Sequence, residues 1–250
     1  MEGSESLRHI GLQGCCNFRD LGGYPTIDGR HTRWRLLFRA DGLTRLTAED
    51  LDEVVALGVR NVLDLRTDLE VESRGRFDGG ATGVEYHHLP LTDTLPGEEQ
   101  GSAWQDTGFV AARYLDMLRN GTASVTRALA LLAEPGGLPA VFHCSVGKDR
   151  TGVLAAVVLG LLGVPDAVIV DDYVLSATAM VRILERLRAE FPDADEVVDR
   201  YAPVILSVEA ASMEGFLSGV HRHFGDFDGL AGALGVAAQV AALREILLQD

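Results

Sequence analysis

No run of about 20 uninterrupted apolar residues, the length a membrane-spanning helix needs, occurs in this sequence of 250 residues. The nearest approach, residues 152–170, is interrupted by Gly160, Gly163, Pro165 and Asp166 and reads as a core helix that stops. Cysteine is scarce. Cys15, Cys16 and Cys144 form no even disulfide framework, and neither a CxxC pair nor a Cys/His zinc spacing occurs. Free thiols fit a reducing compartment. The opening MEGSESLRHI has no basic stretch leading into an apolar one, so no secretory signal is visible and a cytoplasmic location is expected, with export by another route left open.

Positive charge is also in short supply. With 22 Lys and Arg against 37 Asp and Glu the formal net charge is -15. Nucleic acid and anionic lipid would both be repelled at long range, which excludes a protein that wraps the one or lies broadly on the other. Any anionic substrate must then be caught by a local basic pocket. Internal repeats, low-complexity tracts and long linkers are missing too, and predicted elements follow at short intervals, so one domain over 1–250 is the economical reading.

What the sequence does have is an ordinary globular composition, 47% apolar and 24% charged. The pattern predicts a helix over 47–57 capped by Thr47 and a largely buried strand over 59–65. Residues 92–102, TDTLPGEEQGS, read as a mobile loop. Helical spacing returns over 104–119 and 123–133; Pro135-Gly136-Gly137 stops it, and residues 139–143 form a short buried strand. A helix over 151–162, a long helical pattern from 166 to about 190, and a wholly helical remainder follow, with 207–224 and 239–248 its clearer segments. Strands alternating with helices predict an α/β fold: a mostly parallel central sheet flanked by helices, with a helical C-terminal third. Ligands in such sheets sit at the carboxyl ends of the strands, where His143 and Cys144 fall.

Residues 141–152, VFHCSVGKDRTG, combine a strand, six steps from Cys144 to Arg150, and a helix. Each part suits a phosphate ester. Amides of a tight loop at a helix N-terminus can surround a dianion, which assigns Ser145, Val146, Gly147 and Lys148 to phosphate binding. Gly147 lets the chain turn close to the ligand. Arg150 can fork onto two phosphate oxygens. The same donors favour a thiolate, so Cys144 is the expected nucleophile, forming a cysteinyl-phosphate that is then hydrolysed. Thr151 can donate its hydroxyl to the sulfur as it leaves, and His143 is expected to order the loop through backbone hydrogen bonds. No cofactor or metal is called for.

His-Cys-x5-Arg-Thr at a strand–helix junction resembles the signature loop of the protein tyrosine phosphatase superfamily, and Cys144-Ser-Val-Gly-Lys-Asp-Arg150 is similar to its bacterial tyrosine/serine phosphatase branch. The likeness extends over nearly the whole chain: Asn17-Phe-Arg-Asp-Leu-Gly-Gly-Tyr24, Leu37-Phe-Arg-Ala-Asp-Gly-Leu43, Val62-Leu-Asp-Leu-Arg66 with Glu70, Asp172-Tyr173 and Gly235-Val236. It implies a protein tyrosine phosphatase-like fold, a helical cover within 166–225, and activity on phosphotyrosine that extends to phosphoserine, phosphothreonine and phosphoinositides. The expected partners are therefore phosphorylated proteins or phosphoinositides. Lys148 is the physical hook for substrates with more than one phosphate, unless it pairs with Asp149 or Glu70. The resemblance also points to Asp149 as the general acid. Asp93 rivals it by position, and Asp64 is a third carboxylate, more simply paired with Arg66 or Arg39.

Other features have bland readings beside their functional ones. Cys15 or Cys16 would guard Cys144 by forming a disulfide on oxidation, or they are inert thiols. Residues 17–24 form a substrate edge or only a Gly-Gly turn. His87-His88 lacks metal spacing. Asp172 caps a helix or orders a basic loop residue; Met180, Met213 and Phe216 line a lid or pack the core. Two other functions compete with the phosphatase: a catalytically silent phosphate-recognition module and a rhodanese-like sulfurtransferase.

Overall fold

A computed structural model describes residues 8–92, 102–190 and 195–250. Its centre is three short strands, β3 (Leu37–Ala40), β4 (Asn61–Asp64) and β6 (Ala140–His143), every residue of which is buried. Such runs mark a parallel sheet covered on both faces. Successive side chains point to opposite faces: Leu37, Leu63 and Phe142 join one apolar cluster, Phe38, Val62 and Val141 the other. With β1 (Arg19–Asp20) and β5 (Glu85–His88) the sheet has the order β1-β3-β6-β4-β5, antiparallel only between β1 and β3. Ala40 and Asp64 both lie in register with His143, so the three central strands end on one line. Asp41, Cys144 and Leu65 leave the sheet from that edge.

The helices begin where their caps dictate. Thr47 and Asp50 form a reciprocal capping box at α1 (Ala48–Ala56), and Thr67 and Glu70 repeat it at α2 (Asp68–Arg74). The helix expected from residue 104 instead starts with a 3-10 turn, Ser102–Gln105. It becomes α3 (Thr107–Asn120) only where the Asp106 side chain accepts the Phe109 amide at 2.7 Å. α4 (Thr122–Ala133) leads into β6. α5 (Asp149–Leu161) is buried from Arg150 to Leu161, the all-round apolar character of a central helix. A methyl group on its Gly160 would sit 2.3 Å from the Phe227 ring, so glycine lets that ring approach.

The pattern read as one long helix from 166 to 190 is two, α6 (Asp166–Val174) and α7 (Ser176–Glu190). The Arg19 guanidinium donates at 2.8 Å to the Asp172 backbone carbonyl, the acceptor that a continuous helix would offer the Ser176 amide, and at 3.1 Å to the Ser176 hydroxyl. A side chain inserted into the ladder ends the helix there. α8 (Asp195–Leu206), α9 (Ala210–Phe224), α10 (Phe227–Leu234) and α11 (Ala237–Leu247) follow. The last residues depart from the helical expectation, because β7 (Leu248–Gln249) pairs with β2 (His31–Thr32) in a separate two-stranded ribbon. Met180, Met213 and Phe216 are fully buried core residues. Most of the loop expected over 92–102 lies outside the described residues. No helix among the described residues is long and apolar enough to cross a membrane.

Candidate active site

The chain leaves β6 at His143 and turns through Cys144–Lys148 into α5. Gly147 makes the turn with φ +69°, and a methyl group there would lie 2.6 Å from the Ala40 carbonyl oxygen, so conformation and space both demand glycine. Every carbonyl of the turn is held by the protein. The Cys144 oxygen faces His143 Nδ1 at 3.2 Å, and the Ser145 oxygen accepts from the Gly42 amide at 3.1 Å. Asn17 Nδ2 donates to the Val146 and Gly147 oxygens at 3.2 and 3.1 Å, Arg39 Nη2 to Gly147 at 2.7 Å, and the Gly152 amide to Lys148 at 2.8 Å. By contrast, none of the amides of Ser145 through Arg150 donates to a partner among the described residues. Clustered unpaired amides are rare in a buried loop and together form a nest for an anion.

A buried charge network sets the shape of that loop from below. Asn17 is held by Arg19, and Arg19 Nε and Arg39 Nη1 converge on Asp172 at 3.0 and 2.6 Å, with the Tyr24 hydroxyl donating to the same carboxylate at 2.8 Å. Burial alone would raise the pKa of Asp172, but the two guanidiniums outweigh it and hold the carboxyl well below the usual range. Asn17 thus braces the loop carbonyls and does not sit at a substrate edge, and Asp172 orders Arg39, which reaches the loop, and Arg19, which holds Asn17. His143 is fully buried, and burial pushes its pKa down, which keeps the ring neutral.

Cys144 is 1% exposed and Arg150 is buried with it, close enough for the two to interact electrostatically. Burial works against the charge on Arg150, yet the Cys144 sulfur and then Glu70 overcome it and raise its pKa. The guanidinium forks onto Glu70, with Nη2 to Oε1 at 3.0 Å, and Ser145 donates its hydroxyl to the same carboxylate. Glu70 also accepts the Thr67 amide at 2.9 Å as part of its capping box. Two of the five guanidinium N–H groups are thereby committed, leaving the rest for a ligand. Glu70 was not legible as the brace of Arg150. The signal that could have found it is Thr67-x-x-Glu70: it caps a helix starting just after β4, whose carboxyl end adjoins Cys144.

Glu70 makes the fold sensitive to acid. Burial raises its pKa, but Arg150 and Ser145 prevail and bring it down to about 2. A depressed pKa stabilises the folded state fully above the unfolded value and ceases to as pH falls through the folded one, here from about pH 5 down to pH 2. Urea midpoints measured across that window should fall steeply for the wild type and less steeply for Glu70→Gln. The slope is not abolished in the variant, because Asp64, also near 2, shares the window.

The remaining carboxylates separate clearly. Asp149, the first residue of α5, has a side chain 21% exposed and accepts a hydrogen bond of 2.5 Å from the Tyr114 hydroxyl. Burial, and then the Asp149 charge, push the Tyr114 pKa well up, so the phenol stays protonated and donates. Asp64 is fully buried in a fork with Arg66, Nε to Oδ1 at 2.9 Å and Nη2 to Oδ2 at 2.6 Å, and accepts from Tyr86 at 2.9 Å. Its pKa of about 2 makes it a poor proton donor at neutral pH. Asp93 lies outside the described residues.

Lys148 follows the paired alternative, with Asp149 as its carboxylate, and not the free cation beside the loop. Its ammonium donates to the Val204 and Ser207 carbonyls at 2.7 and 3.0 Å, at the C-terminal end of α8, with Asp149 3.6 Å away. Cys15 donates to Asp41 at 2.6 Å, while Cys16 packs against Val146 of the loop. The Thr151 hydroxyl is buried and has no hydrogen-bond partner among the described residues.

Residues 10–249 match the model of the tyrosine phosphatase family. The chain belongs to that family. Over 95% of this tyrosine phosphatase and 98% of the relative, it is 30% identical to a Mycobacterium tuberculosis protein named triple specificity protein phosphatase PtpB. A Nostoc commune protein named tyrosine-protein phosphatase is 29% identical over 80% of this chain and 70% of its own. The enzyme is a cysteine-dependent phosphatase, and its sheet, flanking helices and strand–loop–helix site are those of a tyrosine phosphatase-like fold.

Proposed function

We propose that the enzyme hydrolyses phosphomonoesters by two displacements at the loop 144–150. The Cys144 thiolate attacks phosphorus in line; the S–P bond forms as the P–O bond to the leaving group breaks, and Asp149 gives that oxygen its proton. Water then attacks the cysteinyl-phosphate. Asp149 takes a proton from the water, the S–P bond breaks, and Thr151 donates its hydroxyl to the departing sulfur. The amides of Ser145, Val146, Gly147 and Lys148 hold the non-bridging oxygens with Arg150. The observation that carries this reading is the run of amides without partners among the described residues, set between Cys144 and the braced Arg150.

Phosphotyrosine is the primary substrate in this reading. The M. tuberculosis relative's name supports a wider range, and we extend it to phosphoserine, phosphothreonine and phosphoinositides. One domain, 1–250, would carry the activity, and three free thiols support a cytoplasmic enzyme.

Rapid acid quench during turnover of a ³²P-labelled phosphotyrosyl peptide tests the covalent step. The label should appear on a tryptic peptide containing Cys144; label released as phosphate with none on the protein at any time would overturn it. Asp149→Asn tests the acid. The variant should lose most activity on alkyl phosphates, about a hundredfold for a displaced general acid, and little on p-nitrophenyl phosphate, whose leaving group needs no proton. Equal losses on both would give Asp149 a binding role.

A further inference from the structure

A groove of about 320 Å³ opens beside the phosphate loop, lined by Ser145 and Val146 and by Arg45, Arg66, Arg74 and Arg186. In a chain of net charge -15 such a convergence calls for an account. Two of the four guanidiniums are neutralised elsewhere: Arg66 by Asp64, and Arg45 by Glu190. The other two are not. Arg186 donates to the neutral carbonyls of Gly14 and Gln13, at 2.8 and 2.9 Å, and has no carboxylate partner among the described residues. Arg74, exposed in the last turn of α2, makes no hydrogen bond or ion pair among the described residues. Asp41, the carboxylate in the lining, is engaged by the Cys15 thiol and the amides of Cys16 and Asn17. The groove therefore presents two cations with no carboxylate partner among the described residues, and its lining also holds the apolar side chains of Val146, Ile183 and Leu187.

We propose that this groove is the subsite for an acidic residue flanking the phosphorylated residue of a peptide substrate, with its carboxylate on Arg74 and Arg186 and its methylenes on the apolar side chains. The inference rests on the phosphatase reading and names its preferred substrate class. A lining that combines these guanidiniums with apolar side chains matches an aliphatic stem ending in a carboxylate. An inositol polyphosphate, charged or hydroxylated on every carbon, leaves the apolar lining unused. Lys148, committed to α8, does not supply this selectivity.

The test compares two synthetic phosphotyrosyl peptides that differ only in flanking Glu against flanking Gln. Wild type should favour the Glu peptide in kcat/KM by about fivefold, the scale of exposed charge pairs, and the preference should shrink as salt is raised. Arg74→Ala should bring the ratio towards one, Arg74→Glu should invert it, and Arg74→Ala/Arg186→Ala should abolish it. Each ratio is taken within one variant and is therefore independent of changes in that variant's turnover. A wild-type ratio near one, or a preference surviving in the double variant, overturns the proposal. So does a double variant that loses hydrolysis of an inositol bisphosphate while its peptide ratio is unchanged. Failure of the phosphatase reading would show separately, as no turnover of p-nitrophenyl phosphate by the wild type, and fluorescence anisotropy of the same two labelled peptides then reads the binding ratio directly.

Discussion

Cys144→Ser should lower turnover of p-nitrophenyl phosphate by about 10⁶-fold, the scale on which an enzyme loses its nucleophile, while a phosphotyrosyl peptide still binds. The substitution exchanges one small side chain for another at a site that is 1% exposed, so the sheet edge and loop should keep their shape. What changes is the ionisation of the attacking atom. The proposed first step needs an anionic attacking atom, and a serine hydroxyl, a far weaker acid than a thiol, stays protonated beside the same donors. In the proposed mechanism binding draws on those donors and not on the sulfur, so anisotropy with a labelled phosphopeptide should report undiminished affinity. A silent phosphate-recognition module predicts another pair of results: equal, negligible turnover by wild type and variant, with binding intact in both. A sulfurtransferase would instead form thiocyanate from thiosulfate and cyanide and leave phosphate esters alone.

How much of this arrangement could be read from the residue order follows from how far apart its parts lie in the chain. The loop itself was legible because Cys144, Gly147, Arg150 and the helix start are contiguous, and the φ of +69° at Gly147 is what glycine in that spacing implied. The capped helix at Thr47 and the buried strand ending at His143 were equally local. The support of the loop was not. Asn17, Arg39, Asp172 and Glu70 come from four separated segments, and only tertiary approach brings them under one turn. Apolar periodicity runs unbroken through Leu175, so it gave no sign that Arg19 would take the Asp172 carbonyl and divide the helix. Lys148 shows the same limit from the other side. Its position in the loop was right, but the direction of a four-carbon side chain depends on where α8 ends, and the chemistry of the loop cannot say that.

Arg150→Ala should lower kcat on aryl phosphates by about 10³-fold to 10⁵-fold, the range for a guanidinium that stabilises a transferring phosphoryl group. The same change should also destabilise the fold, because Glu70 would be left as a buried carboxylate without its partner, at a cost of about 3–5 kcal/mol. A low rate in Arg150→Ala alone would therefore mix lost chemistry with lost structure. The double variant Arg150→Ala/Glu70→Gln separates them. With the orphaned charge removed, thermal stability should return most of the way to wild type, while kcat remains as low as in Arg150→Ala. Glu70→Gln by itself should show the converse: a guanidinium still present but held by one weaker hydrogen bond, with a smaller loss of rate, about tenfold to a hundredfold for misplacement of a catalytic group. If the double variant regained activity together with stability, Arg150 would be a structural cation and the clamp assignment would fail. If stability returned without rate, Glu70 serves to hold the guanidinium at the loop, and the phosphoryl group is what Arg150 is held for.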